Sequence, residues 1–283
     1  MKIANKLSTL FVSLLMLSAA FSPVLALTSP MIAPRMSIVN SLKGTVYSTN
    51  WSGYAVTGAA GSVTSASGSW IVPTVTGSNG QYVAFWVGID GYNSATVEQT
   101  GVLAEVTGNR RTSTTSYYAW YEFYPLESII EITTATSPSG APATVKPGDT
   151  ILASVTYLSG TFTLTINDET EKWTFTTAGS QSGATESSAE WIVEAPSSNF
   201  GVLPLANFGT AYFGEDSTSV SYTCYAKING VLGTIGSFGS SVQQINMVTN
   251  RGVLKDSTSS LSTDGTSFSV AWKSSGSRFF GGF

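Results

Sequence analysis

The sequence contains no histidine and only one cysteine among its 283 residues. The first absence excludes a Ser-His-Asp triad, a Cys-His dyad and every His-ligated zinc or iron centre. The second excludes an intrachain disulfide and a thiolate metal cluster, and Cys224 is expected to be a small buried apolar residue in a strand-like context. Charge is scarce as well. Charged residues make up 11% of the chain, against roughly 25% in an ordinary soluble domain. The net charge is -4, and no basic stripe is present to neutralise phosphates, so nucleic acid is not an expected partner. The one basic cluster, Arg110-Arg111, reads as a solvated loop. With 13 Lys plus Arg and no His, the chain gathers little positive charge once its carboxylates are protonated, which suits an acidic medium.

Phosphate-binding loops, dinucleotide fingerprints and EF-hand carboxylate spacing are also missing, and no stretch sustains a helical period. Neither a metal nor a cofactor is expected. Catalysis, if present, must rest on Asp, Glu, Gln, Ser, Thr, Tyr, Lys or an oxygen-ligated metal.

The amino terminus has the layout of a secretory signal over residues 1–26. Lys2 and Lys6 precede an apolar stretch from Leu10 to Phe21, and Val24-Leu25-Ala26 ends it. That apolar stretch is about a dozen residues, short of the roughly 20 needed to span a bilayer. The expectation is export with cleavage near Ala26, and no membrane association afterwards. Residues 27–45, with Pro30 and Pro34, read as irregular: a short propeptide or a flexible arm. From residue 46 to 275 short β-branched and aromatic runs alternate with Gly, Ser, Asn and Pro clusters, among them 51–56, 69–75, 82–89, 117–124, 151–157, 189–193 and 219–228. About thirteen such runs without an internal linker predict one all-β domain. The expected form is an antiparallel β-sandwich of two large sheets, about seven strands each, of the concanavalin or lectin-like type. The remainder, 276–283, is expected to be a flexible tail, and the protein a monomer.

Three segments place polar groups among aromatic strand residues. They are 85–102 with Asp90 and Gln99, 120–125 with Trp120, Glu122 and Tyr124 on one strand face, and 188–194 with Glu190, Ile192 and Glu194 on one face. A carboxylate interleaved with aromatics on one face suits a cleft floor better than a core.

These segments resemble the glutamic peptidases of the eqolisin family, known mostly from fungi. The likeness runs through Asn50-Trp51-Ser52-Gly53-Tyr54, the Trp-Val-Gly-Ile-Asp-Gly run at 86–91, Gln99-Thr100-Gly101 and Trp120-Tyr121-Glu122. It continues through the Ala-Glu-Trp-Ile-Val-Glu run at 189–194, the run at 204–209 and the run at 261–268. The loop from Asp90 to Gln99 is shorter than the usual pattern and lacks its cysteines, and the long Lys-rich propeptide of the fungal members has no counterpart. The resemblance implies a secreted acid endopeptidase acting on polypeptides through a Glu/Gln pair and an activated water, with no covalent intermediate. It puts the catalytic Gln on Gln99 and the catalytic Glu, taken as the residue before Trp, on Glu190. Asp90, Trp86, Trp120, Glu122 and Tyr124 are its supporting cleft residues, with Asp90 and Glu122 expected to hold the water. Glu194 stays the rival of Glu190, because the strand pattern puts both on one face. Two other readings compete: a non-catalytic carbohydrate-binding sandwich with exposed Trp86, Trp120 and Tyr124, and a glycoside hydrolase using two carboxylates such as Glu122 and Glu190.

Overall fold

The computed structural model describes residues 30–42, 44–109 and 111–276. The expected signal segment, Arg110 and nearly all of the tail lie outside them. Two nine-stranded sheets stack into an almost wholly antiparallel sandwich, as the sequence predicts in kind. The first sheet runs, in spatial order, Ile38–Leu42, Thr45–Ser48, Val242–Met247, Trp51–Thr57, Ser188–Glu194, Gln81–Ile89, Val97–Gly108, Ser113–Tyr124 and Ile130–Glu131. The second runs Trp173–Gly179, Thr161–Asp168, Thr150–Leu158, Val63–Ile71, Thr210–Phe213, Phe268–Trp272 and Asp256–Thr258, with Tyr225–Ile228 and Val231–Thr234 branching from Val63–Ile71.

Alternation builds the core between the sheets. Val83, Phe85, Val87 and Ile89 of one strand and Ala189, Trp191 and Val193 of its neighbour face Trp70, Ile151, Ala153 and Val155 of the opposite sheet. Trp191 fastens the layers, since its Nε1 donates to the Ser67 carbonyl at 2.7 Å. The second sheet keeps a simple inside–outside pattern, with Phe162, Leu164 and Ile166 buried between partly exposed threonines.

The first sheet differs, because its strands Trp51–Thr57 and Ser188–Glu194 are buried on both faces. Its outer face carries a second apolar cluster that includes Trp51, Ala84, Trp86, Leu103, Trp120 and Ile192, and Ala33 and Met36 of the amino-terminal segment complete that cluster. Burial on both sides explains why this sheet reads as continuous apolar runs.

Four details depart from the sequence reading. The sheets have nine strands each, not about seven, because short edge pairs carry no sequence signal of their own. The strand bearing Gln99 is longer than the sequence pattern shows, running over Val97–Gly108, past the end of the segment at 85–102. Residues 38–42, expected to be irregular, pair with Thr45–Ser48 as a sheet edge. The run at 219–228 is a strand only over Tyr225–Ile228. Cys224 precedes that strand with a φ of 57°. It is fully buried, as expected, and burial pushes its thiol up to about 12.

Candidate functional site

Sheet register decides which side chains can meet on the outer face of the first sheet. Gln99 and Glu122 are direct cross-strand partners, and the same row continues through Gly88 to Glu190. Two residues along lie Trp120, Gly101, Trp86 and Ile192; two further along lie Leu103, Ala84 and Glu194. All the odd or all the even positions of each strand share this face, so Gln99, Glu122, Glu190 and Glu194 share it too.

Side-chain contacts divide these four residues into two groups. Gln99 Nε2 donates to Glu122 Oε2 at 2.8 Å and to the Ala33 carbonyl at 2.6 Å. A backbone carbonyl can only accept, which fixes the NH2 end of the amide toward Ala33. The Ala33 N–H donates to the same Glu122 oxygen at 3.1 Å. Glu194 Oε2 accepts from Trp86 Nε1 at 2.8 Å and its Oε1 accepts from Asn50 Nδ2 at 3.4 Å. Asn50 Nδ2 also reaches the carbonyls of Pro34 at 3.4 Å and Arg35 at 3.2 Å, and Trp51 Nε1 donates to the Pro34 carbonyl at 3.1 Å. The Ala33 carbonyl thus rests on the Gln99–Glu122 pair, and the next two carbonyls, of Pro34 and Arg35, rest on Asn50, whose amide also bonds Glu194. Burial pushes both carboxyls well above the ordinary range; for Glu194 the nearby Glu122 carboxylate adds to this, while the bonds from Trp86, Trp51 and Asn50 oppose it.

Glu190 stands apart. Its carboxyl oxygens accept no hydrogen bond among the described residues, although the side chain is fully buried. Burial, followed by the charges of Asp90 and Glu98, pushes it well above the ordinary carboxylate range, with Ser188 opposing. Gly88 separates it from Gln99 in the sheet, and the Trp86 ring leans over that glycine. A Cβ at position 88 would lie 2.9 Å from Trp86 Cζ3 and 3.2 Å from Gln99 Cβ. Glycine there lets the indole lie flat enough to send its Nε1 to Glu194.

The other expected cleft residues take different places. Trp86 and Trp120 lie one row along from Gln99 on the same face, and both are fully buried, with Trp51 set edge-on to Trp86 at 4.8 Å. A carbohydrate platform of exposed indoles is therefore not what this face presents. Asp90 does not point at Gln99. Its two oxygens accept from the backbone N–H groups of Thr185, Glu186 and Ser187 at 2.7–2.9 Å and from the hydroxyls of Thr185 and Ser187, which pins that loop to the end of Gln81–Ile89. Tyr124 is half-buried and packs at the rim of the outer cluster. Among the described residues no group of His, Cys, Asp and Glu could hold a metal ion. Sequence reasoning missed the contributions of Asn50, Trp51 and Ala33. The first two stood in a quoted motif, whereas nothing in a Met-Ile-Ala-Pro sequence announces a cleft contact.

Comparison with known proteins bears on the family and the fold. The pattern of the Peptidase A4 family matches residues 49–270. The chain is 30% identical over 200 residues to aspergillopepsin-2 of Aspergillus niger, which covers 62% of this chain. It spans 66% of the length of that relative. Its fold is similar to that of scytalido-glutamic peptidase solved with a transition state analog inhibitor, with a TM-score of 0.62 at 23% identity, covering 80% of this chain and 98% of that one. It is also similar to aspergilloglutamic peptidase from Aspergillus niger, with a TM-score of 0.54 at 26% identity over 68% of this chain and 99% of that one. Among the described residues no helix is long and apolar enough to cross a membrane. The chain belongs to the Peptidase A4 family.

Proposed function

We propose that the protein is a secreted, monomeric acid endopeptidase of the glutamic type, with Gln99 and Glu194 as its catalytic pair and Glu122 positioning Gln99. The observation that carries this reading is that successive backbone carbonyls rest on the two sides of this face: that of Ala33 on Gln99 Nε2, and those of Pro34 and Arg35 on Asn50, whose amide also bonds Glu194. Glu194 takes a proton from a water, and the hydroxide adds to the carbonyl carbon of the substrate. Gln99 Nε2 donates to the oxyanion as it forms, in the place where it now meets the Ala33 carbonyl. Glu194 then passes its proton to the departing nitrogen, and the C–N bond breaks. Glu122 accepts the second Gln99 hydrogen, which keeps the amide turned toward the substrate. Trp86 holds Glu194 through its indole N–H.

The register row supports a second reading in which Glu190 is the base, because Glu190 and Gln99 lie level across Gly88. Digestion of a denatured protein between pH 2 and 7, with a pepsin-type inhibitor present and absent, tests the class. Cleavage confined to acid and insensitive to the inhibitor is expected, and cleavage abolished by the inhibitor would contradict it. A two-carboxylate glycoside hydrolase has no role for Gln99, so sensitivity of activity to Gln99→Ala counts against that alternative.

A further inference from the structure

Next to Asn50, on the far side of residues 201–202 from Tyr124, lies a cavity of about 940 Å³, within the range of roughly 300–1,000 Å³ that ligand sites occupy. Its walls are apolar over Phe200, Val202, Leu203, Val248 and Val253. Two cations, Lys255 and Arg251, line it, and among the described residues no Asp or Glu does. Lys255 is the one cation buried among the described residues, at 4% exposure. Its stem is held down by the backbone of Gly276, where a Cβ would lie 3.0 Å from Lys255 Cδ. Its carbonyl accepts from the N–H groups of Lys273 and Ser274 at 2.8 and 3.0 Å. An ammonium carries three donors, and among the described residues Lys255 Nζ meets one acceptor, the Thr49 carbonyl at 3.2 Å. The ion pairs of the described residues, Lys146–Glu171 and Lys172–Glu169, leave it out. A buried charge held in this way costs free energy unless a counter-charge meets it.

We infer that this cavity binds a carboxylate of the polypeptide substrate, with Lys255 as its buried counter-charge and Arg251 as a second cation on the wall. The inference rests on the reading of the neighbouring face as a peptidase site, which makes the ligand a polypeptide. Position supports it. Thr49, the acceptor for Lys255, immediately precedes Asn50, whose amide bonds Glu194. Gly201 and Val202 line this cavity and also the neighbouring one, of about 560 Å³, which Asn50 and Tyr124 border. A substrate strand extended from the catalytic face therefore reaches the cavity past residues 201–202. Charge supports it as well, because a hydrogen bond between an ammonium and a carboxylate is among the strong ones. Burial pushes Lys255 down to about 8, which leaves it charged throughout the acid range. The carboxyls whose charge acts on it are Asp256 and Glu194, and burial pushes both up, so in acid they offset it only weakly. A substrate carboxyl, with an ordinary value of about 3.5 to 4.3, is ionised at about pH 5 and neutral at about pH 2.5.

The test uses the full chain and two series of internally quenched peptides, at about pH 5 and about pH 2.5. One series replaces Gln by Glu at successive positions on both sides of the cleaved bond. The other replaces a terminal carboxamide by a free carboxylate. In one of them the carboxylate form should be cleaved with kcat/KM higher by about tenfold to a hundredfold at about pH 5, through KM rather than kcat. An effect in the first series assigns the pocket to an acidic side chain, and one in the second assigns it to a chain end. The advantage should vanish at about pH 2.5, and it should vanish at both pH values in Lys255→Met, which keeps the stem and removes the charge. Arg251→Gln, at an exposed position, should lower the advantage by about threefold and serves if Lys255→Met fails to fold. Calorimetric binding of the same peptides to Gln99→Ala needs no turnover. Preference for the carboxylate forms there, with no cleavage by the parent chain, would sink the peptidase reading and leave the pocket standing. Equal treatment of charged and uncharged peptides in both cleavage and binding, or an advantage that persists in Lys255→Met, would overturn the inference.

Discussion

The two ends of the strand Ser188–Glu194 carry chemically identical residues on the same face, four positions apart, yet they sit in different surroundings. Both Glu190 and Glu194 are fully buried, and burial pushes both carboxyls up. At the Glu194 end, indole and amide donors meet the carboxyl, and a peptide backbone runs alongside. At the Glu190 end, neither oxygen has a hydrogen-bond partner among the described residues, and the nearby groups are Ser188 and two other acids, Asp90 and Glu98. Asp90 serves the loop at 185–187 and Glu98 faces the inter-sheet side, where burial pushes it up to about 9. A buried carboxyl with donors can switch between charged and neutral forms during a reaction. One without donors is pushed toward its neutral form.

Substitutions at the two ends should therefore separate activity from stability. The largest effect is expected from Gln99→Ala, which removes the oxyanion donor and should lower kcat by about a hundredfold to a thousandfold with little change in Tm; near-normal turnover of a quenched peptide would break the comparison. Asp90→Asn replaces an oxygen that accepts backbone N–H groups with an amide donor. It should cost about 2–3 kcal/mol in urea unfolding while sparing kcat once folded. A selective loss of kcat at unchanged stability would instead return Asp90 to the reacting centre.

The smallest effect concerns pH. A carboxyl whose pKa is higher in the folded chain contributes stability that is fully present below its unfolded value, near about 4, and is lost as pH rises through the folded value. Burial pushes Asp168 up to about 6, Asp256 to about 7 and Glu98 to about 9, and Glu190 shifts in the same direction. Tm should thus be highest in acid and fall by on the order of 5 °C or more toward neutral pH. Lys255, which burial pushes down to about 8, works the other way, but its contribution is lost as pH falls through 8 and leaves the acid range unaffected. Glu190→Gln should flatten the acid-to-neutral slope, measured by thermal unfolding at several pH values. An unchanged slope would show that Glu190 is not held neutral.

Much of this could be read from the residues. Trp191 and Val193 were expected opposite Glu190, Ile192 and Glu194, and the core and outer clusters divide them that way. Aromatic and β-branched runs likewise gave the all-β sandwich. The strand bearing Gln99 was harder, because a Gln-Thr-Gly stretch lined by an aromatic cleft has the composition of a turn. Strand periodicity could not choose between two glutamates four apart, which repeat the same face; only the partners of each distinguish them. The seating of residues 33–35 depends on backbone N–H and C=O groups, which every sequence carries equally. Asp90 illustrates the opposite error, where a conspicuous acid beside a quoted motif turned out to bind a loop.

The most direct measurement of the central claim is kcat for Glu194→Gln and Glu190→Gln in the full chain, under the same acid conditions, with folding checked by circular dichroism. Loss of about a thousandfold or more is expected for Glu194→Gln, while Glu190→Gln stays within about threefold of the parent, as for a substitution that touches no reacting atom. The reverse pattern, with Glu194→Gln active and Glu190→Gln inactive though folded, would contradict the account.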